Sequence, residues 1–282
     1  MKQFKIKSHA KINIALNVTG KNSKLHNIES IITFINLHDL IIVRQIDQTK
    51  HKISFKGKFS KKISKKKNTI SALLMLLDEK NYLNDKKFNI KIIKNIPQQS
   101  GMGGGSINAA SLLNFFINKK IIKIKENKLL NLTEKIGSDV ILGIKPTNLI
   151  LSHTGKIKRY YKKKILHTLI VKPSFGCSTK YIFSRVKKFS KPKFDIPNQS
   201  MFKIQHLKKL KNDLEEIAFN KYPKLENIKS FLATIPNTEF VRMSGSGSSI
   251  VAYYQSKRSC EIAYKHFKRK FNNHWCIVSK TI

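Results

Sequence analysis

The sequence predicts an α+β protein built in two parts. The first half reads as strands followed by helices, with a glycine-rich segment near residue 101 at the change of period. The second half mixes strand-like and helix-like stretches without a regular strand–helix–strand alternation. The 282 residues are 40% hydrophobic, enough to bury one large core or two ordinary ones. The two domains are placed at 1–155 and 156–282; the boundary falls near 150–159, although no Pro/Gly-rich linker marks it, and no internal repeat is visible.

Taken in order, residues 1–7 alternate polar and apolar like a strand, and residues 12–18 alternate again before Thr19-Gly20. Apolar, β-branched runs at 28–37 and 40–46 suggest two further strands, broken at His38-Asp39, and 51–56 a fourth. From 68 to 77 the period changes, with Ile70, Leu73, Leu74 and Leu77 on one helical face. Phe88, Ile90 and Ile92 return to period two, and Pro97 closes that stretch. Ala109, Leu112, Leu113, Phe116 and Ile117 mark an amphipathic helix starting near Ser106, and another follows over 127–136. Beyond it, strands are expected at 168–172, 240–243, 249–254 and 275–279, and helices at 179–187, 213–220, 225–234 and 256–270.

The net charge is +40, from 56 Lys and Arg against 16 Asp and Glu. Such a balance attracts polyanions, and it also favours anionic small substrates such as nucleotides. Its lysine runs, Lys61-Lys62, Lys65-Lys66-Lys67 and Lys162-Lys163-Lys164 among them, are scattered and form neither a tail nor a stripe. We read them as solvated surface and expect no nucleic-acid partner. No apolar run approaches the ~18 residues of a membrane helix, and the N-terminus lacks the apolar block of a secretory signal. Cys177, Cys260 and Cys276 are too few and too scattered for a disulfide framework or a zinc site, so reduced thiols and a cytoplasmic location are expected.

The strongest chemical signal is Gly101-Met102-Gly103-Gly104-Gly105-Ser106, between the stretch closed by Pro97 and the start of a helix. A helix N-terminus offers backbone N–H groups and a positive dipole end to phosphate, and glycines let the backbone approach closely. The segment is neither a Walker A loop nor a dinucleotide-binding fingerprint. A second segment, Ser244-Gly245-Ser246-Gly247, is either a hairpin turn or another phosphate-facing loop. Lys11 and Asn13 share one face of the opening strand. Asp139 is either a general base or a cap at a turn.

In this order, the segments resemble the GHMP superfamily of small-molecule kinases, and within it the branch whose acceptor is a cytidine-diphosphate-linked methylerythritol. The resemblance is carried by His9-Ala10-Lys11-Ile12-Asn13, Lys24-Leu25-His26, Lys67-Asn68-Thr69-Ile70, residues 101–110, Gly137-Ser138-Asp139-Val140, Asn212-Asp213-Leu214-Glu215 and residues 243–247. It implies a ribosomal-protein-S5-like N-terminal domain and a ferredoxin-like C-terminal domain. It implies transfer of the γ-phosphate of ATP to a tertiary hydroxyl, with Mg²⁺ accompanying the nucleotide. Asp139 would take or orient the hydroxyl proton, and Lys11 beside it would stabilise developing charge. Pro97, Gly101, Met102, Gly103, Gly104, Gly105 and Ser106 would line the phosphates, with Asn68 near adenine. His26 would read the cytosine edge, Phe183 would stack on the ring, and Asn13 and Gly245 would also meet the acceptor. The partner implied is a small molecule, with no membrane; a homodimer is left open.

Several positions depart from the family pattern. Its first proline is His9, its Gly-Tyr before the histidine is Lys24-Leu25, an upstream loop glycine is Gln99, the loop's second serine is Ile107, and a later Gly-x-Gly-Glu is His153-Thr154-Gly155-Lys156. Changes at Gln99 and Ile107 would touch the phosphate site. Two alternatives stand: another GHMP kinase, acting on homoserine, mevalonate or a sugar, and a basic RNA-binding protein on the same fold.

Overall fold

The computed structural model describes residues 2–22, 25–61, 63–161 and 165–282. Lys24, Lys62 and the run Lys162-Lys163-Lys164, named above, lie outside the described residues. The chain divides into two compact units, one of residues 1–11, 37–97 and 103–146, the other of 12–36, 98–102 and 147–282. The units interleave along the sequence, where a single cut after residue 155 was expected. The cause is the length of the first two strands. β1 (Gln3–Lys21) and β2 (His26–Ile46) run for 19 and 21 residues, and each contributes to both units.

The continuity of β2 corrects the break expected at His38-Asp39. Asp39 is fully buried, yet its carboxylate accepts from the Asn95 and Ile96 N–H groups at 2.7 and 2.8 Å and pairs with Lys94. A charged residue whose acceptors are all met can remain inside a strand.

In the first unit, the second half of β2 pairs antiparallel with β4 (Lys87–Ile93), from Leu40↔Ile93 to Ile46↔Lys87, and β3 (Lys52–Lys56) pairs parallel with β4. Helices α1 (Thr69–Glu79), α2 (Gly104–Asn118), α3 (Glu126–Ile136) and α4 (Val140–Gly143) complete it. Ile41, Val43, Ile90 and Ile92 from the strands share one core with Leu73, Leu77, Leu112, Leu113 and Phe116 from the helices. The period-two and helical stripes of the sequence meet in that core. α1 starts at a capping box: the Asn68 side chain accepts from the Ile70 and Ser71 N–H groups, while Ser71 Oγ accepts from the Asn68 N–H.

In the second unit, the first half of β2 pairs with β5 (Asn148–Leu151), and β6 (Ile157–Tyr160) turns back on β5. This hairpin occupies the stretch where the sequence suggested a domain boundary. Four-residue strands are too short to show a period. A separate antiparallel sheet has the order β10 (Trp275–Lys280), β7 (His167–Lys172), β9 (Ile250–Tyr254), β8 (Phe240–Met243). Packed with it are α5 (Thr179–Ser184), α6 (Ile204–Lys209), α7 (Leu214–Lys221), α8 (Pro223–Thr234) and α9 (Lys257–Lys270). The expected elements lie within a few residues of these; α6 and the 3₁₀ turn Gln199–Phe202 were not anticipated. Leu169, Val171, Ile228, Leu232, Ala252 and Phe267 join sheet and helices in this unit's core. Among the described residues, no helix is long and apolar enough to cross a membrane.

α4 lies so close to α2 that a Cβ on Gly143 would meet Ala110 Cβ at 2.8 Å and Ile107 Cδ1 at 2.9 Å. The Ala110 methyl cannot swing away. Gly143→Ala is therefore expected to destabilise the protein by about 1–3 kcal/mol, the usual cost of overpacking. A denaturant titration would measure it as a lower midpoint at unchanged slope.

Candidate functional site

The glycine segment passes from one unit to the other, with Gly101 and Met102 in the second and Gly103 onward in the first. Gly103 caps α2 in the left-handed region, at φ 67°, and makes no side-chain cap. The first helical hydrogen bond runs from the Ile107 N–H to the Gly103 carbonyl at 2.9 Å. The N–H groups of Gly104, Gly105 and Ser106 therefore have no acceptor within the helix. Gly105 is exposed and Ser106 half-buried, so this 15-residue helix offers its positive end to an anion. Met102 is fully buried, and Pro97 is buried as well. These two candidates shape the loop from within.

In the same unit, Lys11 Nζ lies 3.1 Å from Asp139 Oδ2. Lys11 is buried, with its side chain 6% exposed, against 33% for Asp139. A buried ammonium needs an anion, and Asp139 provides one while keeping an accessible face. Asp139 precedes α4 but makes no side-chain cap, so the cap reading of this residue does not hold. The lysine stem also explains Gly103, where a Cβ would come within 2.9 Å of Lys11 Cγ. Lysine, aspartate and the open helix end are thus neighbours.

A second buried ion pair holds the approach to this loop. Asp39 bonds to Lys94 Nζ, to the Asn95 and Ile96 N–H groups and, at 3.0 Å, to Asn108 Nδ2 on α2. Lys94 Nζ lies 3.4 Å from the position a Cβ would take on Gly104. Thr69 Oγ1 adds a bond of 2.7 Å to the Gly105 carbonyl, tying α1 to the loop. Sequence reasoning missed Asp39, Lys94 and Thr69. The apolar run around Asp39 was a signal that it would be buried, but not what would satisfy it. Asn68 uses its Oδ1 in the α1 cap and its Nδ2 on the Ser64 and Lys65 carbonyls, and so organises the segment before α1.

In the second unit, Gly101 has φ 72°, and a Cβ there would fall 1.9 Å from the Ser244 carbonyl oxygen, so only glycine fits. Ser244 Oγ donates to the Gly101 carbonyl at 2.9 Å and accepts from the Asn13 N–H at 3.2 Å. The Ser248 and Ser249 N–H groups donate to the Gln99 and Ser100 carbonyls. Asn212 Nδ2 holds the Met243 and Gly245 carbonyls at 2.9 and 2.8 Å, and Glu215 Oε1 accepts from the Met243 N–H. The Ser244-Gly245-Ser246-Gly247 segment therefore braces residues 99–101. Asn13 is buried and bonded to Ser30, with its Oδ1 3.3 Å from the Cβ position of Gly245.

His26, at the start of β2, faces Phe183 on α5 with ring centroids 5.3 Å apart and Phe189 at 6.4 Å. Burial, and secondarily the Lys21 charge, lower its pKa from the ordinary 6.5, favouring the neutral imidazole. A neutral ring has one donor and one acceptor, which suits the polar edge of a base.

A protein-family comparison matches residues 68–147 to the GHMP kinases N-terminal domain. Over all 282 residues, covering 100% of both chains, the sequence is 63% identical to a 4-diphosphocytidyl-2-C-methyl-D-erythritol kinase of Pelagibacter ubique (strain HTCC1062). The chain belongs to the 4-diphosphocytidyl-2-C-methyl-D-erythritol kinase family. A crystal structure of 4-(cytidine 5'-diphospho)-2C-methyl-D-erythritol kinase has the same fold, with a TM-score of 0.79 at 20% identity, covering 99% of this chain and 100% of that one. A homoserine kinase from Cytophaga hutchinsonii also shares it, with a TM-score of 0.73 at 16% identity, covering 100% of this chain and 95% of that one.

Two departures from the pattern of these kinases have a local physical account. Gln99, one of the departures noted in the sequence, sits in the left-handed region at φ 48°. Its side chain lies over Gly176, where a Cβ would be 2.4 Å from Gln99 Oε1. Ile107, in place of the loop's second serine, is fully buried against Gly143 and Gly103. It points into the core, and the backbone N–H groups that precede it are unaltered.

Removing the Asp39 charge would leave the Lys94 ammonium buried without a counter-charge. Asp39→Asn is expected to cost about 3–5 kcal/mol of stability and to raise KM for ATP in the protein that remains folded. Calorimetric melting and steady-state kinetics at saturating acceptor would measure the two effects.

Proposed function

We propose that this chain transfers the γ-phosphoryl group of ATP to the C2 hydroxyl of 4-diphosphocytidyl-2-C-methyl-D-erythritol, a step of non-mevalonate isoprenoid precursor synthesis. The observation that carries the reading is the 3.1 Å pair of Lys11 and Asp139 beside an uncapped helix N-terminus. Phosphoryl transfer asks a protein mainly for positioning and charge stabilisation. Asp139 accepts or orients the proton of the attacking hydroxyl. Lys11 stabilises the negative charge that develops there. The N–H groups of Gly104, Gly105 and Ser106 bind the phosphate oxygens, and Gly101 and Gly103 give the loop its turns. Asn68 organises the segment that meets adenine.

Mg²⁺ bound with ATP would neutralise charge on the bridging phosphates. Ser106 and Asp139 suit it as hard oxygen donors, Ser106 Oγ lying 3.5 Å from the Cβ position of Gly137. ATP would supply the remaining ligands.

The fold alone does not choose the acceptor, because the homoserine kinase shares it. The choice rests on family membership and on His26 with Phe183, an imidazole beside an aromatic face, as a site for a base. An ADP-release assay with the cytidine-linked acceptor, beside homoserine and mevalonate, tests it. Turnover stimulated only by the latter two would overturn the assignment.

Asp139→Asn should lower kcat by about 100-fold or more while ATP still binds in a nucleotide titration. His26→Ala should raise KM for the cytidine acceptor and leave KM for ATP in place. In the wild type, KM for the acceptor should rise on acidification, and at a lower pH than an ordinary imidazole would give, because the lowered pKa extends the neutral form of His26 to lower pH.

A further inference from the structure

After α5 the chain runs without helix or strand from residue 186 to 194, and this strap is pinned at two places. The Ser190 N–H donates to the Val18 carbonyl at 2.8 Å, and Ser190 Oγ donates to Asp213 Oδ2 at 2.7 Å. The same Asp213 oxygen accepts from the Val18 N–H at 2.9 Å. Farther on, the Lys193 and Phe194 N–H groups donate to the Glu29 carboxylate at 2.9 and 3.0 Å, and Asn17 Nδ2 reaches Glu29 Oε1 at 2.7 Å. Glu29 is fully buried. With His153 and Asp195 it brings three ligand atoms within 4.8 Å of one another. Both Glu29 oxygens already accept N–H donors, however, so we read Glu29 as the anchor of the strap and not as a metal ligand.

Phe189 immediately precedes the first pin. Its side chain is 48% exposed, and its ring lies 6.4 Å from His26 at an angle of 53°. Phe183 flanks the same imidazole at 5.3 Å. Leu25, the residue before His26, offers no ring, so both rings that flank His26 come from α5 and the strap. Exposing half of a phenylalanine forfeits burial energy, on the order of 1 kcal/mol. The pin at Ser190 nevertheless fixes the backbone beside Phe189, and two carboxylates fix the strap on which it stands. A ring held exposed in this way, next to a neutral imidazole, has the chemistry of a stacking platform for a flat heteroaromatic ring.

We propose that Phe189 is a specificity-determining contact of the acceptor site, a second aromatic surface for the nucleobase, positioned by the clamp of Ser190, Asp213 and Glu29. The assignment rests on the cytidine reading of His26 given above. It concerns affinity for the acceptor and not phosphoryl transfer, since Phe189 carries no group that could move a proton.

The test compares Phe189→Leu, Phe189→Tyr and His26→Ala with the wild type in full kinetics, together with calorimetric titration of cytidine 5'-diphosphate. Phe189→Leu should raise KM for the cytidine acceptor between about fivefold and hundredfold, the range of a lost base–aromatic stack. It should weaken cytidine diphosphate binding by a similar factor, with kcat and KM for ATP retained. Phe189→Tyr, which keeps the ring, should restore both constants. A KM within twofold of wild type for Phe189→Leu, with His26→Ala still impaired, would overturn the role of Phe189 and leave the cytidine reading standing. No turnover of the wild type with the cytidine acceptor would overturn both. An equal loss in Phe189→Leu and Phe189→Tyr would mean that the residue serves packing, and would also overturn the proposal.

Discussion

The N–H groups at the start of α2 can bind phosphate only if nothing in the protein satisfies them first, and only if the backbone that carries them stays still. A glycine-rich loop meets the first requirement and works against the second, because glycine has the most conformational freedom to lose. The contacts around it supply the missing rigidity. In one unit, Asp39 fixes residues 94–96 and Asn108, and Thr69 holds the Gly105 carbonyl. In the other, Ser244 and the residues after it bind the backbone of 99–101. None of these bonds uses the Gly104, Gly105 or Ser106 N–H groups.

Among the described residues, the buried lysines Lys11 and Lys94 each have a carboxylate partner. Lys11 with Asp139 and Lys94 with Asp39 are both partly or wholly withdrawn from solvent, but their surroundings differ. Asp39 is enclosed, and its oxygens are taken by a lysine, an amide side chain and two backbone N–H groups, which makes it a structural anchor. Asp139 is one-third exposed and keeps a face open, as a group must if it is to meet a substrate hydroxyl. The same pair of residue types thus serves two ends, and solvent exposure separates them. Among the described residues, Glu29, Asp213 and Glu215 extend the first use: Glu29 gathers the Lys193 and Phe194 N–H groups of an irregular segment, while Asp213 and Glu215 accept from Val18 in β1 and from Met243 at the end of β8.

Much of this was legible in the sequence because it depends on short-range order. The α1 and α2 stripes, the β4 alternation and the Gly101-to-Ser106 loop are periodic or compositional, and each folds within a few residues of its expected bounds. What was misread depends on distant partners. His38-Asp39 resembles a strand break until Lys94 and the Asn95 and Ile96 N–H groups are seen to complete Asp39. Asn148–Leu151 and Ile157–Tyr160 are too short to carry a period, and they become strands only because β2 offers an edge to the first and the first offers one to the second. Ile107 and Gln99 looked like damage to the phosphate site. The first is buried against Gly143, and the second lies over Gly176, so neither replaces an N–H group of the loop.

The sequence by itself determined the class of fold, the place of the glycine loop at the start of a helix and the identity of Lys11 and Asp139 as candidates, because those follow from local periodicity and from residue types in a fixed order. It could not determine that Lys11 and Asp139 pair at 3.1 Å, that Asp39 and Lys94 anchor the loop's approach, or that Phe189 stands beside His26. These contacts join residues 55 to 163 positions apart. Contacts across such separations form only when the cores of the folded units close, and no local pattern in the chain records them.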